Sequence, residues 1–592
     1  MGRKKKEIIT EPFVPSKYQE AIFDFIQNQE GNLVIEALAG SGKSTTLIKL
    51  LDLIDQEKRV LFCAFNVDIV KDLKKKVGTK PNVEVCTVHS LGYKIIRHNF
   101  GEIETLPTKY SDHIWKNIKE YSSMNLYALG KKNYSRYIDN ITKLVDHCRY
   151  NLVDTIPSML PIVERHGIPI LGDEMEVVLN ILEWGKNNIN EIDFTDMLWL
   201  PHVLDLPHEH LMYDYILFDE CQDASIAQRE LILKCRQEDT RYVFVGDRNQ
   251  SIYSFMSASP DTFDKLKELP NTTTLPLSIS YRCAENIVKF AQNLVPSLEG
   301  NDDGRKGEIV KEGNLCDIED GDMVLCRNNA PLMQVYANLI RMGKKCYIRG
   351  KDIGKNLSKL VSSTKIDELN LDLRDDGVFV RLYDMLFKMR DGIILKNGVS
   401  KEMAMNNPVI TNLLDMIRAL EVLAEGLNTA DELNERITNI FSDSKKIGGI
   451  ALSTIHKAKG LEANNVHIAC ASLMPSASAE QDWEIEQEKN LMYVAYTRAK
   501  NKLTFLSEKG FEKFKKSSSS ILQDIENQVD YVMGRALCPT HSKGFSGVTL
   551  PRMRKMEKPL IGSSTTLKPK NTLTVNKPLS SVIARRNVRR KK

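Results

Sequence analysis

Residues 37–45 read ALAGSGKST and residues 219–223 read DECQD, and these two segments decide the fold class. The first lies between an apolar run at 33–35 and a helical pattern that begins at Thr46. A strand, a glycine-rich loop and a helix in this order are typical of a phosphate-binding loop, because backbone N–H groups and the helix N-terminus face the phosphates. DECQD follows another apolar run, at 215–218, and places carboxylates where open α/β sheets bind ligands. Together the two segments predict a nucleoside triphosphatase built on a parallel α/β sheet.

The residue types of both segments suit phosphoryl transfer with Mg²⁺. Lys43 can reach the β- and γ-phosphates, and Ser44 and Asp219 are the expected Mg²⁺ ligands. Glu220 is expected to position and deprotonate the attacking water, the alternative being a buried ion pair. Ala37 replaces the first glycine of the usual loop pattern, where a small residue is tolerated. The residues expected to surround the phosphates are Ala37, Leu38, Ala39, Gly40, Ser41, Gly42, Lys43, Ser44 and Thr45.

Length and composition indicate an ordinary globular protein of three or four domains. The chain has 592 residues, of which 42% are hydrophobic and 27% charged. We find no apolar run of membrane-spanning length and no apolar signal-peptide core, so a cytoplasmic location is expected. The eleven cysteines contain no CxxC pair and are expected to be reduced structural thiols. Cys538 and His541 make only half of a zinc site.

The positive charge is concentrated at the C-terminal end. Residues 551–592 carry 13 Lys and Arg against one acidic residue, whereas residues 7–550 have 65 basic and 77 acidic residues. This distribution excludes a uniformly basic DNA-coating protein. The tail has a composition typical of disorder and can bind nucleic acid through phosphate contacts. A solubilising or localising role is the alternative.

Apolar runs of strand length occur in two groups separated by helical patterns, which is typical of doubly wound parallel sheets. The first group is 33–35, 60–64, 83–87, 216–218 and 242–246. The second group is 323–326, 450–454, 466–469 and 503–506. The predicted order is a first core (7–88), a helical insertion (89–205), the rest of the first core (206–270), a second core (271–355), a small helical insertion (356–446), the rest of the second core (447–516) and a basic, disordered tail (517–592).

Further short segments follow one another in a specific order. They are SKYQ at 16–19, VLFCAFN at 60–66, TVHSLG at 87–92, VGDRNQSIYSF at 245–255, LSISYR at 277–282, MVLCRN at 323–328, STIHKAKGLE at 453–462 and QEKNLMYVAYTRAK at 487–500. With the two opening segments they resemble the motifs of the UvrD/Rep-like superfamily 1 DNA helicases, and the AFN form is closer to the F-box DNA helicase branch. The resemblance implies an α/β fold of two RecA-like parallel-sheet domains, each with a mainly helical inserted subdomain.

The family resemblance also implies an activity and its partners. It implies an ATP-dependent motor that uses Mg²⁺, moves 3′→5′ on single-stranded DNA and unwinds tailed duplexes. No membrane partner is expected, and the protein is expected to be a monomer or a weak oligomer. Besides Lys43 and Glu220, the residues that the resemblance assigns to the nucleotide are Gln19 and Tyr281 for adenine, Gln250 for the γ-phosphate, Arg282 and Arg498 as arginine fingers and Glu462 for the ribose.

The residues that the resemblance assigns to DNA come from several motifs. They are Phe65, Asn66, Thr87, His89, Tyr253, Phe255, Arg327, Thr454 and His456. Core packing is the alternative for the three aromatic residues. The chain departs from the family pattern at Val67 and Asp68, where the lysine of the F-box branch is missing, and at 256–258, where MSA replaces RGA.

Three other functions compete with this interpretation. A helicase–nuclease fusion would need a C-terminal acidic metal cluster, which the spacing of acids in 517–592 does not provide. A binding module with an inactive ATPase would lack catalytic residues, yet all of them are present. A translocase that strips proteins from DNA, or a motor that acts on RNA, stays open.

Overall fold

The computed structural model of the chain describes residues 13–64, 67–78, 80–126, 130–170, 172–252, 262–373, 375–441, 448–477, 479–509 and 519–534. Two six-stranded sheets form its framework. The strands up to residue 277 are β1 (Asn32–Ala37), β2 (Val60–Ala64), β3 (Val83–Thr87), β4 (Glu104–Thr105), β5 (Glu191–Ile192), β6 (Tyr213–Asp219), β7 (Arg236–Gly246) and β8 (Thr272–Leu277). The strands after it are β9 (Ile279–Ser280), β10 (Glu299–Gly300), β11 (Glu308–Gly313), β12 (Met323–Cys326), β13 (Cys346–Ile348), β14 (Ile450–Thr454), β15 (Ala463–Ala469) and β16 (Ala499–Leu506).

Both large sheets are parallel throughout. The first has the order β3-β2-β6-β7-β1-β8 and the second the order β11-β16-β15-β12-β14-β13. All nine predicted strands are confirmed, and so is the α/β fold class. The strands that the sequence did not predict in these sheets are β8, β11 and β13, and each of them is an edge strand.

Helices cover the sheets and fill the two insertions. Those that precede β8 are α1 (Lys17–Asn28), α2 (Lys43–Leu51), α3 (Val67–Val77), α4 (Val88–Phe100), α5 (Lys109–Tyr121), α6 (Gly130–Asn151), α7 (Ile156–Arg165), α8 (Glu174–Asn187), α9 (Asp196–Val203), α10 (Ile226–Lys234) and α11 (Thr262–Lys267). Those that follow it are α12 (Glu285–Ala291), α13 (Asn329–Arg341), α14 (Lys351–Ser363), α15 (Val378–Asn397), α16 (Lys401–Met405), α17 (Pro408–Ala424), α18 (Ala430–Ile440), α19 (Asp482–Tyr496) and α20 (Ser519–Val532). None of the helices in the described ranges is long and apolar enough to cross a membrane.

The first sheet is buried on both faces, as a parallel sheet requires. Successive residues of β2 alternate between two apolar clusters. Leu61 and Cys63 join the cluster that extends into the first helical insertion, whereas Val60, Phe62 and Ala64 join the cluster under α1 to α3. The insertion therefore shares its core with the sheet and is held to it by apolar burial.

The prediction of disorder for 517–592 is wrong for its first part. Residues 519–532 form α20, and Val529 is fully buried in the cluster of the second insertion. Glu526 of α20 also accepts hydrogen bonds from the guanidinium of Arg390, on α15, and forms an ion pair of 2.6 Å with Lys401. Apolar burial and this paired charge explain why the segment is helical. The 13 basic residues of 551–592 lie outside the described residues.

A buried network of charges stabilises the first insertion. Lys109 and Arg149 lie 2.6 and 3.1 Å from the carboxylate of Asp196, and Arg149 is also 2.8 Å from Asp193. The hydroxyl of Tyr110 donates to Asp196 at 2.7 Å. Asp196 and Arg149 have no exposed surface. Such a network tolerates the loss of one partner poorly, because the remaining charges stay buried without compensation.

Asp196→Ala is expected to destabilise the protein by about 3–5 kcal/mol, because it leaves its two cations buried with less counter-charge. Urea unfolding followed by tryptophan fluorescence measures the effect, since three of the four tryptophans lie in 89–205. The control is Asp72→Ala, which breaks an exposed ion pair with Lys75 and should cost less than about 1 kcal/mol. Equal unfolding midpoints for the two variants would contradict the structural role of the network.

Candidate active site

The phosphate-binding loop connects β1 to α2 at the carboxyl edge of the first sheet. Ala37 ends the strand, Lys43 begins the helix, and Gly40 and Gly42 have φ angles of +75° and +84°. These left-handed angles favour glycine and turn the backbone of the loop. A β-carbon at Gly40 would lie 2.6 Å from the β-carbon of Arg282, so glycine is also required by the close approach of the second core.

Lys43 forms an ion pair with Glu220 of the DECQD segment, the contact that the sequence leaves open as the alternative for this acid. Its ammonium lies 2.8 Å from the carboxylate of Glu220, and both side chains are largely buried. Burial acts to lower the pKa of Lys43, but the charges of Glu220, Asp219 and Asp247 outweigh it and raise the pKa above its ordinary value. Burial acts to raise the pKa of Glu220, but Lys43 and Lys459 hold it below the ordinary value. Glu220 is therefore an ionised carboxylate, the form that can accept a proton from water.

A hydrogen-bonded relay leads from Glu220 to the end of β7. The amide of Gln222 donates to Glu220 at 2.6 Å and accepts from the backbone N–H of Asp247 at 3.1 Å. Glu220 has a φ of +56°, an uncommon angle for a residue with a side chain. With this backbone angle, two successive carboxylates, Asp219 and Glu220, lie near the ammonium of Lys43.

Gln250 continues this relay into the second core. Its amide donates to Asp247 at 2.6 Å and accepts from the guanidinium of Arg498 at 3.1 Å. The ammonium of Lys459 reaches the backbone carbonyl of Gln250 at 2.6 Å and also pairs with Asp223. The relay thus joins the phosphate loop to an arginine that lies between α19 and β16 of the second core.

Arg498 is a buried cation whose hydrogen-bond acceptors within the described ranges are all neutral. Its side chain is 1% exposed, and besides Gln250 it donates to the carbonyls of Val494 and Leu461 at 2.9 and 3.1 Å and to the hydroxyl of Thr497 at 3.3 Å. Burial, followed by the charge of Arg282, lowers the pKa of Arg498 to about 9. The guanidinium remains charged at neutral pH, and an anion in the cleft would complement it.

The second predicted arginine finger is partly neutralised. Arg282 donates to the carboxylate of Glu462 at 2.7 Å, and the same carboxylate lies 2.6 Å from Lys500. Arg305 donates to the backbone carbonyls of Tyr281 and Arg282 at 2.9 and 3.1 Å and so holds this turn in place. Glu462, the predicted ribose contact, therefore lies beside Arg282, a predicted contact of the transferring phosphoryl group.

The predicted adenine contacts lie together at the end of the phosphate loop. A β-carbon at Gly42 would lie 3.7 Å from the amide nitrogen of Gln19 and 3.8 Å from the ring of Tyr281. The amide of Gln19 donates to Thr46 at 2.9 Å and accepts from the backbone of Ser16 at 3.0 Å. The side-chain nitrogen of Gln19 has a second N–H to donate and its oxygen has a second lone pair to accept, which suits the edge of a purine.

The residues at the loop fit a magnesium ion bound together with phosphates. The described part of the chain contains no group of three or more His, Cys, Asp or Glu side chains that could hold a metal alone. Mg²⁺ at nucleotide sites uses one or two protein ligands, with phosphate oxygens and water for the rest. Ser44 and the buried Asp219 supply that number. Burial and the neighbouring Glu220 raise the pKa of Asp219, so a cation at this position would be stabilising.

The predicted DNA contacts that the structure describes follow strands of both sheets at their carboxyl ends. Thr87 ends β3, and its hydroxyl caps α4 by accepting from the N–H of Ser90 at 3.2 Å. Thr454 ends β14. Arg327 follows β12 and is held by Glu488, with its closest N–O distance 2.7 Å.

Both predicted DNA-contacting histidines have lowered pKa values. Burial lowers the pKa of His89, and burial, with Arg327 and Lys457 nearby, lowers that of His456 to about 3. They are neutral at physiological pH, so a contact with DNA would not include an ion pair with a phosphate. The remaining predicted DNA contacts, Phe65, Asn66, Tyr253 and Phe255, lie outside the described residues.

Four residues of the site were not assigned roles from the sequence. They are Gln222, Asp247, Lys459 and Tyr493, which donate or accept within the cleft. Each stands inside a segment that was recognised, but a motif does not reveal which neighbour a side chain will meet. Only their proximity to assigned residues could have drawn attention to them.

The chain is similar to known helicases along most of its length. The family model described as the UvrD/REP helicase N-terminal domain matches residues 18–271, and that of the UvrD-like helicase C-terminal domain matches residues 351–510. The chain is 23% identical to F-box DNA helicase protein 1 of Schizosaccharomyces pombe, an alignment that covers 82% of this chain but only 56% of that protein. It is also 23% identical to ATP-dependent DNA helicase Rep of Buchnera aphidicola subsp. Schizaphis graminum, with 80% and 91% covered, and 22% identical to the probable DNA helicase II homolog of Mycoplasma pneumoniae, with 81% and 82% covered.

Proposed function

The chain belongs to the UvrD/Rep-like family of DNA helicases, and from this premise we propose that it moves 3′→5′ along single-stranded DNA and unwinds duplex DNA by hydrolysing ATP between its two sheets. One observation carries the proposal. A continuous set of hydrogen bonds links Lys43 of the phosphate loop, through Glu220, Gln222, Asp247 and Gln250, to the second core. A nucleotide held by one core would therefore be sensed directly by the other.

The chemistry that we propose is divided between the two cores. Lys43 and the loop amides hold the phosphates, and Glu220 orients the attacking water and accepts its proton. Arg498 and Arg282 approach from the second core and stabilise the charge on the transferring phosphoryl group. A Mg²⁺ ion at Ser44 and Asp219 would neutralise phosphate charge when bound.

Movement on DNA would follow from the same division. The residues that we propose for DNA contact follow strands of both sheets, so a strand of DNA could cross the two cores. Closure of the cleft around ATP changes the distance between these contacts, and opening after hydrolysis restores it. If the two cores bind the DNA strand tightly in turn, each cycle moves the protein along the strand in one direction. The relay through Gln250 supplies the link between hydrolysis and this motion.

The experiment that tests the proposal uses duplex DNA with a single-stranded tail at either the 3′ or the 5′ end. We expect ATP-dependent strand separation of the 3′-tailed substrate only. Separation of the 5′-tailed substrate alone would overturn the polarity. DNA-stimulated ATP hydrolysis without separation of either substrate would indicate a translocase that displaces proteins, and stimulation by RNA alone would indicate an RNA motor.

A further inference from the structure

Two successive residues of the phosphate-binding loop form hydrogen bonds with the second core. The backbone N–H of Ala39 donates to the hydroxyl of Tyr493 at 3.0 Å, and the carbonyl of Gly40 accepts from the N–H of Tyr281 at 2.9 Å. Ala39 and Tyr493 have no exposed surface. Leu38 and Ala39 are members of the apolar cluster of the second core, together with Tyr493. The loop therefore packs as part of the second core, although it follows a strand of the first.

Tyr493 also contacts the residue that directly precedes Arg498. It precedes Arg498 by five residues, at the end of α19. The backbone carbonyl of Tyr493 accepts from the N–H and the hydroxyl of Thr497 at 3.1 and 2.8 Å. The carbonyl of Val494 accepts from the guanidinium of Arg498 at 2.9 Å. Buried hydrogen bonds and the C-terminal turn of α19 thus connect the backbone amide of Ala39 to the guanidinium of Arg498.

We propose that Tyr493 is a positioning residue for ATP hydrolysis, whose hydroxyl sets the distance between the phosphate loop and the guanidinium of Arg498. The tyrosine itself need not touch the nucleotide. Stabilisation of a transition state by a charged donor depends steeply on its placement, and an error of about 1 Å can cost about 10²-fold in rate. Because the hydroxyl accepts from a loop amide, any shift of the loop on binding phosphates would be passed to α19 and to Arg498. The inference rests on the proposed function.

Tyr493→Phe tests the proposal, because it removes the hydroxyl and keeps the ring in the cluster. We expect kcat of DNA-stimulated ATP hydrolysis to fall about tenfold, with KM for ATP changed by less than about twofold. The matched control is Tyr496→Phe on the same helix, where the ring packs on Phe290 and Phe505 within the second core. This control should keep the turnover of the unaltered protein. An unchanged kcat in Tyr493→Phe would overturn the proposal, and so would a loss of kcat matched by a lowered melting temperature.

A double-mutant cycle separates positioning from an independent role. In an Arg498→Lys background, Tyr493→Phe should cause no further loss of single-turnover rate, since the hydroxyl acts through the arginine. An equal tenfold loss in both backgrounds would show that the two residues act independently and would overturn the inference. Failure of the proposed function would be distinct, because the unaltered protein would then show no hydrolysis stimulated by DNA.

Discussion

Lys43→Ala is expected to lower DNA-stimulated ATP turnover by about 10³-fold or more, because the phosphates lose the only lysine in the loop and Glu220 loses its ion-pair partner. Glu220→Gln should reduce turnover by about 10²–10⁴-fold through loss of the general base, while ATP binding is retained. Steady-state hydrolysis with saturating single-stranded DNA measures both changes, and equilibrium binding of a non-hydrolysable ATP analogue separates binding from chemistry.

The control for this pair is Lys49→Ala, on the same helix as Lys43. The Lys49 side chain is exposed and lies 3.9 Å from the carboxylate of Asp52, which is also exposed. Its turnover should equal that of the unaltered protein. Near-normal hydrolysis by either Lys43→Ala or Glu220→Gln would show that the assignment of the catalytic site is wrong.

Arg498→Ala is expected to lower kcat by about 10³-fold or more, the effect typical of removing an arginine finger. The affinity for ATP should change far less, because the guanidinium acts mainly on charge that develops in the transition state. The structural reason is that Arg498 is a buried cation with neutral acceptors and so is available to an anion. Single-turnover hydrolysis, together with the binding of an ATP analogue, measures the two quantities.

Two further variants make the Arg498 result interpretable. Arg498→Lys keeps the charge but loses the planar fork, so its kcat should lie between that of Arg498→Ala and that of the unaltered protein. Arg341→Ala breaks an exposed ion pair between the end of α13 and Glu425 of the second insertion and should leave hydrolysis unchanged. If Arg498→Ala weakened ATP binding as strongly as it lowered kcat, the guanidinium would be a ground-state contact and not an arginine finger.

Central and edge strands differ in how well the sequence predicts them. The predicted strands are rich in apolar residues, as expected for strands covered on both faces in a parallel sheet, although the edge strand β3 contains Glu84 and β15 contains His467. Two of the missed strands, β8 and β11, contain the polar residues of TTTLPL and EIVKEG, and β13 is only three residues long. All three are sheet edges, where one side lacks a neighbouring strand and apolar burial is weaker.

The helix α20 was missed for a different reason. Its apolar residues complete the core of the second insertion, from which it is separated by the rest of the second core along the chain. A helix of this length is marginally stable alone, and its burial depends on a surface that the local sequence does not contain. The composition of 517–592 therefore indicated disorder for a segment that tertiary contacts make helical.

The sequence by itself determined the residue types of the candidate active site, because phosphate, magnesium and water each require particular groups at short spacing, and ALAGSGKST and DECQD contain such groups. The tertiary structure alone decided which of these groups meet. Ala39 and Tyr493 are 454 residues apart and Gln250 and Arg498 are 248 apart, yet each pair is hydrogen-bonded. Hydrogen bonds depend on distance and direction in space, and those are set by the order of strands in two sheets and by the contacts between the two cores.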